Sequence, residues 1–121
     1  MSHFTVTIKP SHMNWGEYRH TQSRTRRADE GYVQIPKEYA VRYGILRGNT
    51  YRAVFADGFP SFQARAAGNT EKGDPYAKQF QGDGDLRAFG RWYASVNAQL
   101  GDQVAITFID ENTVLFELVP Q

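Results

Sequence analysis

The chain has 121 residues, with 14 Lys and Arg against 13 Asp and Glu, 40% hydrophobic residues, 14% aromatic residues and no cysteine. That length suits a single domain spanning the whole chain, with a core that removes roughly two thirds of the unfolded surface from water, and the composition is that of a folded chain. The absence of cysteine excludes disulfides, thiolate zinc sites and cysteine nucleophiles, while the opening MSHFTVTIKP has no signal-peptide pattern and no apolar run approaches the ~20 residues that span a bilayer, so a cytoplasmic location without membrane contact is expected.

FTVTIK places Phe4, Val6 and Ile8 on one face and Thr5 and Thr7 on the other, the period of a half-buried strand. From Pro10 to Glu30 neither periodicity appears, and this stretch is expected to be a long polar loop or arm. GYVQI resumes strand patterning, Pro36 fits the first turn of a short helix through Tyr43, and Gly44 suits the position just past its end. A turn at Arg47 to Asn49 leads to a strand Tyr51 to Phe55, a tight turn at Asp57-Gly58 and a strand Ser61 to Ala66. After the polar GNTEKGDP, the segment YAKQF is a short strand candidate with Tyr76, Lys78 and Phe80 on one side, followed by a GDGD turn. LRAFGRWYASVNAQ is expected to contain a second helix, with Leu86, Phe89 and Tyr93 at helical spacing, although Gly90 weakens it. Two strands around Asp110-Glu111-Asn112 close the chain. About seven short strands and two short helices suit a small, mainly β barrel: a seven-stranded open pseudobarrel. Phe55, Tyr39, Phe89, Trp92 and Tyr93 are expected in its core. Trp15 and Tyr18 are expected to pack over a barrel opening, the alternative being a stack on a base.

The net charge of +1 hides an asymmetry. All fourteen Lys and Arg lie between Lys9 and Arg91, against nine Asp and Glu there, whereas Trp92 to Gln121 holds four acids and no base. Ten of the cations are Arg, whose planar fork pairs with phosphates and with the guanine edge. An anionic partner follows as an expectation.

Enzymatic readings make the most specific demands, and the sequence does not meet them. It has no Walker phosphate loop, no G-x-S-x-G elbow and no H-E-x-x-H, and Gly82-Asp83-Gly84-Asp85-Leu86-Arg87 lacks the third glycine of a dinucleotide loop and is expected to be a hairpin turn. His3, His12 and His20 have no carboxylate at ligand spacing and are expected at the surface. Asp83 and Asp85 are not followed by the glutamate that closes a calcium loop. No Asp or Glu stands two residues before a Lys, so the common nuclease metal-and-lysine triplet is missing. No cofactor and no catalytic or metal-binding residue is assigned.

With the elements in order, GYVQIPKEYAVRYGILRGNTY, SFQARA, FGRWYASVNAQLGDQVAITF and the final VLFEL resemble the B3-like DNA-binding pseudobarrel of plant transcription factors and of the recognition domains of some bacterial restriction endonucleases. The resemblance covers about Gly31 to Leu118. It rests on the strand, Ile35-Pro36 and short helix ending at Gly44, on Arg91-Trp92 before a helical stretch, and on Leu100-Gly101-Asp102 opening a strand. IPKEYAVRYGILRGNTY taken alone equally resembles the swapped-hairpin transcription regulators of bacteria, which are obligate dimers about half this size.

The B3-like resemblance implies a monomer that grips the major groove of double-stranded DNA between two loops. Carried onto this chain, the N-arm is Arg19 to Tyr32, offering Arg19, His20, Gln22, Ser23, Arg24, Arg26 and Arg27. The C-arm is Asn69 to Gln79, offering Asn69, Thr70, Lys72, Tyr76, Lys78 and Gln79. Arginine forks suit guanine and phosphates, and Gln22 suits adenine. Asp29, Glu71 and Asp74 either accept from cytosine N4 or hold an arm in shape. The resemblance also implies a restriction-modification setting, with any nuclease domain outside this chain, or a free-standing DNA binder. A barrel that binds RNA or a small anionic ligand through the same arginines is the further alternative.

Overall fold

The structure is a computed structural model that describes residues 2–13, 30–68 and 73–121. Its element order is β1 (His3–Thr7), α1 (Pro10–Met13), β2 (Val33–Gln34), α2 (Lys37–Tyr43), β3 (Thr50–Phe55), β4 (Phe62–Ala67), β5 (Gln79–Gly82), α3 (Ala88–Ser95), β6 (Gln103–Asp110) and β7 (Thr113–Val119). The seven strands form one sheet in the order β1-β6-β7-β3-β4-β5-β2. It curls into the nearly closed barrel expected from the strand count, with α2 and α3 as the expected helices. The single turn α1 is an addition, inside the stretch expected to be loop.

Two antiparallel sets meet at a parallel seam. β1 pairs with β6 and β6 with β7, while β3, β4, β5 and β2 pair in succession, all antiparallel. β3 and β7 run parallel, setting Arg52 opposite Thr113 and Phe55 opposite Phe116. The seven strands thus form the sheet of the expected pseudobarrel.

Period-two burial along β1 puts Phe4 and Val6 inside, with Ile8 continuing the row. The Phe4 ring stacks on Tyr39, centroids 4.7 Å apart, and Tyr43 lies 6.2 Å away, so α2 packs against β1 through its tyrosines. Pro36 occupies the N-cap position of α2, one residue earlier than the first-turn placement, and Gly44 takes the left-handed conformation at its end. Phe55, Phe80, Phe89, Trp92 and Phe116 meet at the centre of the barrel. All five are buried, as is Tyr93; of the expected core positions Phe55, Phe89, Trp92 and Tyr93 are buried, whereas Tyr39 is half-buried and packs against the core from α2. α3 supplies Phe89, Trp92 and Tyr93 to this core, and the Trp92 indole N–H donates to Asp57 Oδ1 at 3.0 Å, holding the β3–β4 turn.

The Leu100-Gly101-Asp102 piece has a structural reason. Asp102 is buried, and its carboxylate accepts from the backbone N–H groups of Gln99 and Gln121, while its carbonyl accepts from Ile8. One side chain therefore ties the start of β6 to the chain end, and its backbone to the end of β1. The GDGD segment is not a hairpin turn: it leads from β5 into α3, where Asp85 accepts from the Arg87 N–H and pairs with Arg91. The Arg91 side chain beside Asp85 holds its carboxyl below the usual carboxylate range. Those contacts hold Asp85 just ahead of α3, whose N-cap is Arg87.

Candidate nucleic-acid interface

Both expected arms are rooted on the β2–β5 ladder, which pairs Val33 with Phe80 and Gln34 with Gln79. The N-arm enters β2 through Glu30, Gly31 and Tyr32, and the C-arm enters β5 through Ala77 and Lys78. Because the strands are antiparallel, the arms leave from opposite ends of this ladder. Tyr32 precedes it and Ile35, whose N–H donates to the Lys78 carbonyl at 2.8 Å, follows it. At the rise of extended chain, the three steps from Tyr32 to Ile35, the residue bonded to Lys78, span about 10 Å, against a major-groove width of about 12 Å.

The N-arm root is fixed by close backbone packing. Gly31 N–H donates to the Leu86 carbonyl at 3.1 Å and Tyr32 N–H to the His12 carbonyl at 2.9 Å. A Cβ on Gly31 would lie 2.9 Å from the His12 carbonyl oxygen and 3.1 Å from the Gly90 nitrogen. Gly90, unfavourable inside a helix, is thus where α3 admits the arm's backbone. Tyr93 donates its hydroxyl to the Tyr32 carbonyl at 2.8 Å, and burial pushes that hydroxyl's pKa up, so it stays a donor.

His12, expected at the surface, is buried. Its Nδ1 accepts from the Lys9 N–H at 3.2 Å, and its ring lies 5.0 Å from that of Tyr32. It is placed inside by α1, which brings the start of the polar stretch back against its end. Burial first, and the Lys9 charge second, lower its pKa to about 4. The sign follows: above about pH 6.5 neither folded nor unfolded chain protonates this ring, and below it the unfolded chain binds the proton first. Stability to urea should therefore fall as pH drops from about 6.5 to about 4, with a slope approaching 1.4 kcal/mol per pH unit. His12→Gln should flatten that window, measured by urea unfolding at each pH. Asp74 and Asp85, whose pKa values are lowered, contribute their own loss below it.

At the C-arm root, Lys78 N–H donates to the Ala67 carbonyl and Ala77 N–H to that of Ile45, while Tyr76 bridges to Leu46. Gly68, in a positive-φ conformation, lets the outgoing chain pass close to Lys78: a Cβ there would sit 2.8 Å from that of Lys78. Asp74 accepts from the Lys37 ammonium at 2.8 Å and from the Tyr76 N–H at 2.9 Å. Those bonds, the Lys37 contact foremost, lower its pKa. Through these bonds Asp74 braces the C-arm root.

Tyr76 is half-buried, Lys78 exposed and Gln79 half-buried at the first position of β5. Tyr76, Lys78 and Phe80 do not share a face, because the chain is bridged and not laddered before Gln79, so Ala77 and Phe80 are the buried pair. Arg19, His20, Gln22, Ser23, Arg24, Arg26 and Arg27 lie outside the described residues, as do Asn69, Thr70 and Lys72, and Trp15 and Tyr18. Between the two roots the outer face of β4, β5 and β2 carries Arg65, Gln81 and Gln34, none of them singled out in the sequence. The alternation in FQARAA and QFQG is the signal that puts Arg65 and Gln81 opposite the core. Among the described residues there is no cluster of three His, Asp or Glu that could hold a metal ion, and no helix long and apolar enough to cross a membrane.

Comparison with known proteins places this geometry. The family model of the NgoFVII C-terminal B3-like DNA-binding domain matches residues 3–112. The N-terminal domain of Helicobacter pylori LlaJI.R1 superposes with a TM-score of 0.59 at 8% identity, covering 98% of this chain and 88% of that one. The structure of an Arabidopsis FUS3-DNA complex gives 0.55 at 17% identity, covering 96% of this chain and 94% of that one. At these identities the two structures establish the fold. No curated protein matches the sequence.

Proposed function

The chain belongs to the NgoFVII C-terminal B3-like DNA-binding domain family, and on that premise we propose that it reads a short sequence in double-stranded DNA, its two arms entering the major groove from either end of the β2–β5 ladder. The observation that carries this is the pair of braced roots at opposite ends of the β2–β5 ladder, each leading into a polar segment with cationic side chains. The N-arm contains Arg19, Arg24, Arg26 and Arg27 and no acid from Arg19 until Asp29, which provides sequence-blind phosphate contacts together with forked donors for guanine. The C-arm contributes Lys72 and Lys78 with Asn69, Thr70, Tyr76 and Gln79. In this reading the domain acts as a monomer and supplies recognition, within a restriction-modification enzyme or as a free-standing binder.

Equilibrium binding to a randomised duplex pool over a salt series tests the proposal. A short motif should enrich, and affinity should fall with a log-log slope of about one per phosphate neutralised. Single-stranded DNA and RNA should compete poorly. Equal binding to RNA, or enrichment of no motif, would remove sequence-specific duplex recognition.

A further inference from the structure

The strands between the arm roots carry rows of polar side chains, one of which, Gln79, also ends the C-arm. Across the outer face, the register aligns Thr50, Arg65 and Gln81 in one row, and Ala67, Gln79 and Gln34 in the next. Inward neighbours on the same strands, Ala64, Ala66, Phe80 and Val33, are buried, which sets the direction of the outer row. Arg65 is exposed and the three glutamines are half-buried. None of the residues of β2, β3, β4 and β5 is acidic, whereas β6 and β7 carry Asp110 and Glu117.

Facing residues on neighbouring strands stand about 5 Å apart at Cβ, so Arg65 and Gln81 work as neighbours. Gln79 lies two positions from Gln81 on the same face, and its Nε2 donates to Gln81 Oε1 at 3.0 Å. That bond leaves the Gln79 carbonyl oxygen and an amino group of Gln81 for other partners. An acceptor and a donor side by side are the complement of adenine N6–H and N7. Arg65 beside them is the complement of guanine O6 and N7.

We propose that Arg65, Gln79 and Gln81 are specificity-determining residues on the barrel wall, reading a guanine and a neighbouring adenine in the groove held between the arms. This rests on the duplex-binding function proposed above, and it deepens that function by placing base readout on rigid strands as well as on loops. The occupant is the major-groove edge of duplex DNA. The wall is continuous with both arm roots, and the strands that form it are free of acids.

Motif selection from a randomised duplex pool with the wild-type chain, Arg65→Ala and Gln81→Ala provides the test, with thermal melts confirming that both surface variants fold. Arg65→Ala should lose the preference at one guanine position and bind the wild-type motif about 10-fold more weakly. Gln81→Ala should lose the preference at an adjacent adenine, and each variant should keep the rest of the motif. If both variants enrich the unaltered motif, the wall residues do not read bases, although duplex binding stands. The proposal is equally overturned if Arg65→Ala weakens all sequences alike and lowers the salt slope by about one, the behaviour of a phosphate contact. A wild-type chain that enriches nothing overturns the parent function as well, and that failure is visible before any variant is compared.

Discussion

Replacing Arg24, Arg26 and Arg27 together by alanine is expected to abolish motif-specific duplex binding at physiological salt while leaving the fold intact. Each of these side chains that forks onto a base should cost ~1–3 kcal/mol on removal, and each that meets only a phosphate should cost less and lower the salt slope by about one. Two base contacts among the three would together cost ~2–6 kcal/mol, which reaches into the ~4–10 kcal/mol that commonly separates specific from non-specific binding, and single variants sort the three roles. Stability should not change, because the described core draws on β1, β2, α2, the later strands and α3. Binding by the triple variant at wild-type affinity would move the interface off the N-arm. In the same way, Lys78→Ala with unaltered affinity and motif would take the C-arm out of the interface.

The largest expected effect on stability belongs to Phe116. Its ring is fully buried and meets Phe55, Phe80, Phe89 and Trp92, with centroid distances from 5.1 to 6.3 Å. It therefore joins the parallel β3–β7 seam to β5 and to α3. Phe116→Ala should destabilise by ~3–5 kcal/mol, through lost transfer energy and a cavity that four rings from different elements cannot collapse to fill. Against a total of ~5–15 kcal/mol for a domain of this kind, urea unfolding should show a much earlier midpoint or an unfolded chain. A loss below about 1 kcal/mol would mean that the aromatic cluster is not the unit that closes the barrel.

Much of this architecture is legible in the sequence because local periodicity and barrel geometry agree. FTVTIK, TYRAVF and FQARAA alternate cleanly, and in the structure the same alternation divides core from surface. What is not legible comes from contacts between distant segments. The parallel pairing of β3 with β7 has no local signal, since it joins residues some sixty positions apart. His12 resembles a surface histidine because its neighbours are polar. Its burial follows from α1 bringing it against Tyr32, across the whole N-arm. YAKQF looks like a single strand, yet Tyr76 is claimed by Leu46 and the ladder starts only at Gln79. The arms show a related split: their charge is plain in the sequence, whereas the bracing of their roots by Gly31, Gly68 and Asp74 needs the fold.

Groove choice is the most direct measurement of the central claim, and base analogues in the enriched duplex determine it. Exchanging guanine for inosine removes only the minor-groove N2 amino group, whereas 7-deazapurines remove the major-groove N7 acceptor. Two arms and a wall seated in the major groove require affinity to survive inosine and to fall about 10-fold or more with 7-deazapurine at the contacted positions. The opposite pattern, loss with inosine and tolerance of 7-deazapurine, would place this domain in the other groove and contradict a major-groove grip by its arms.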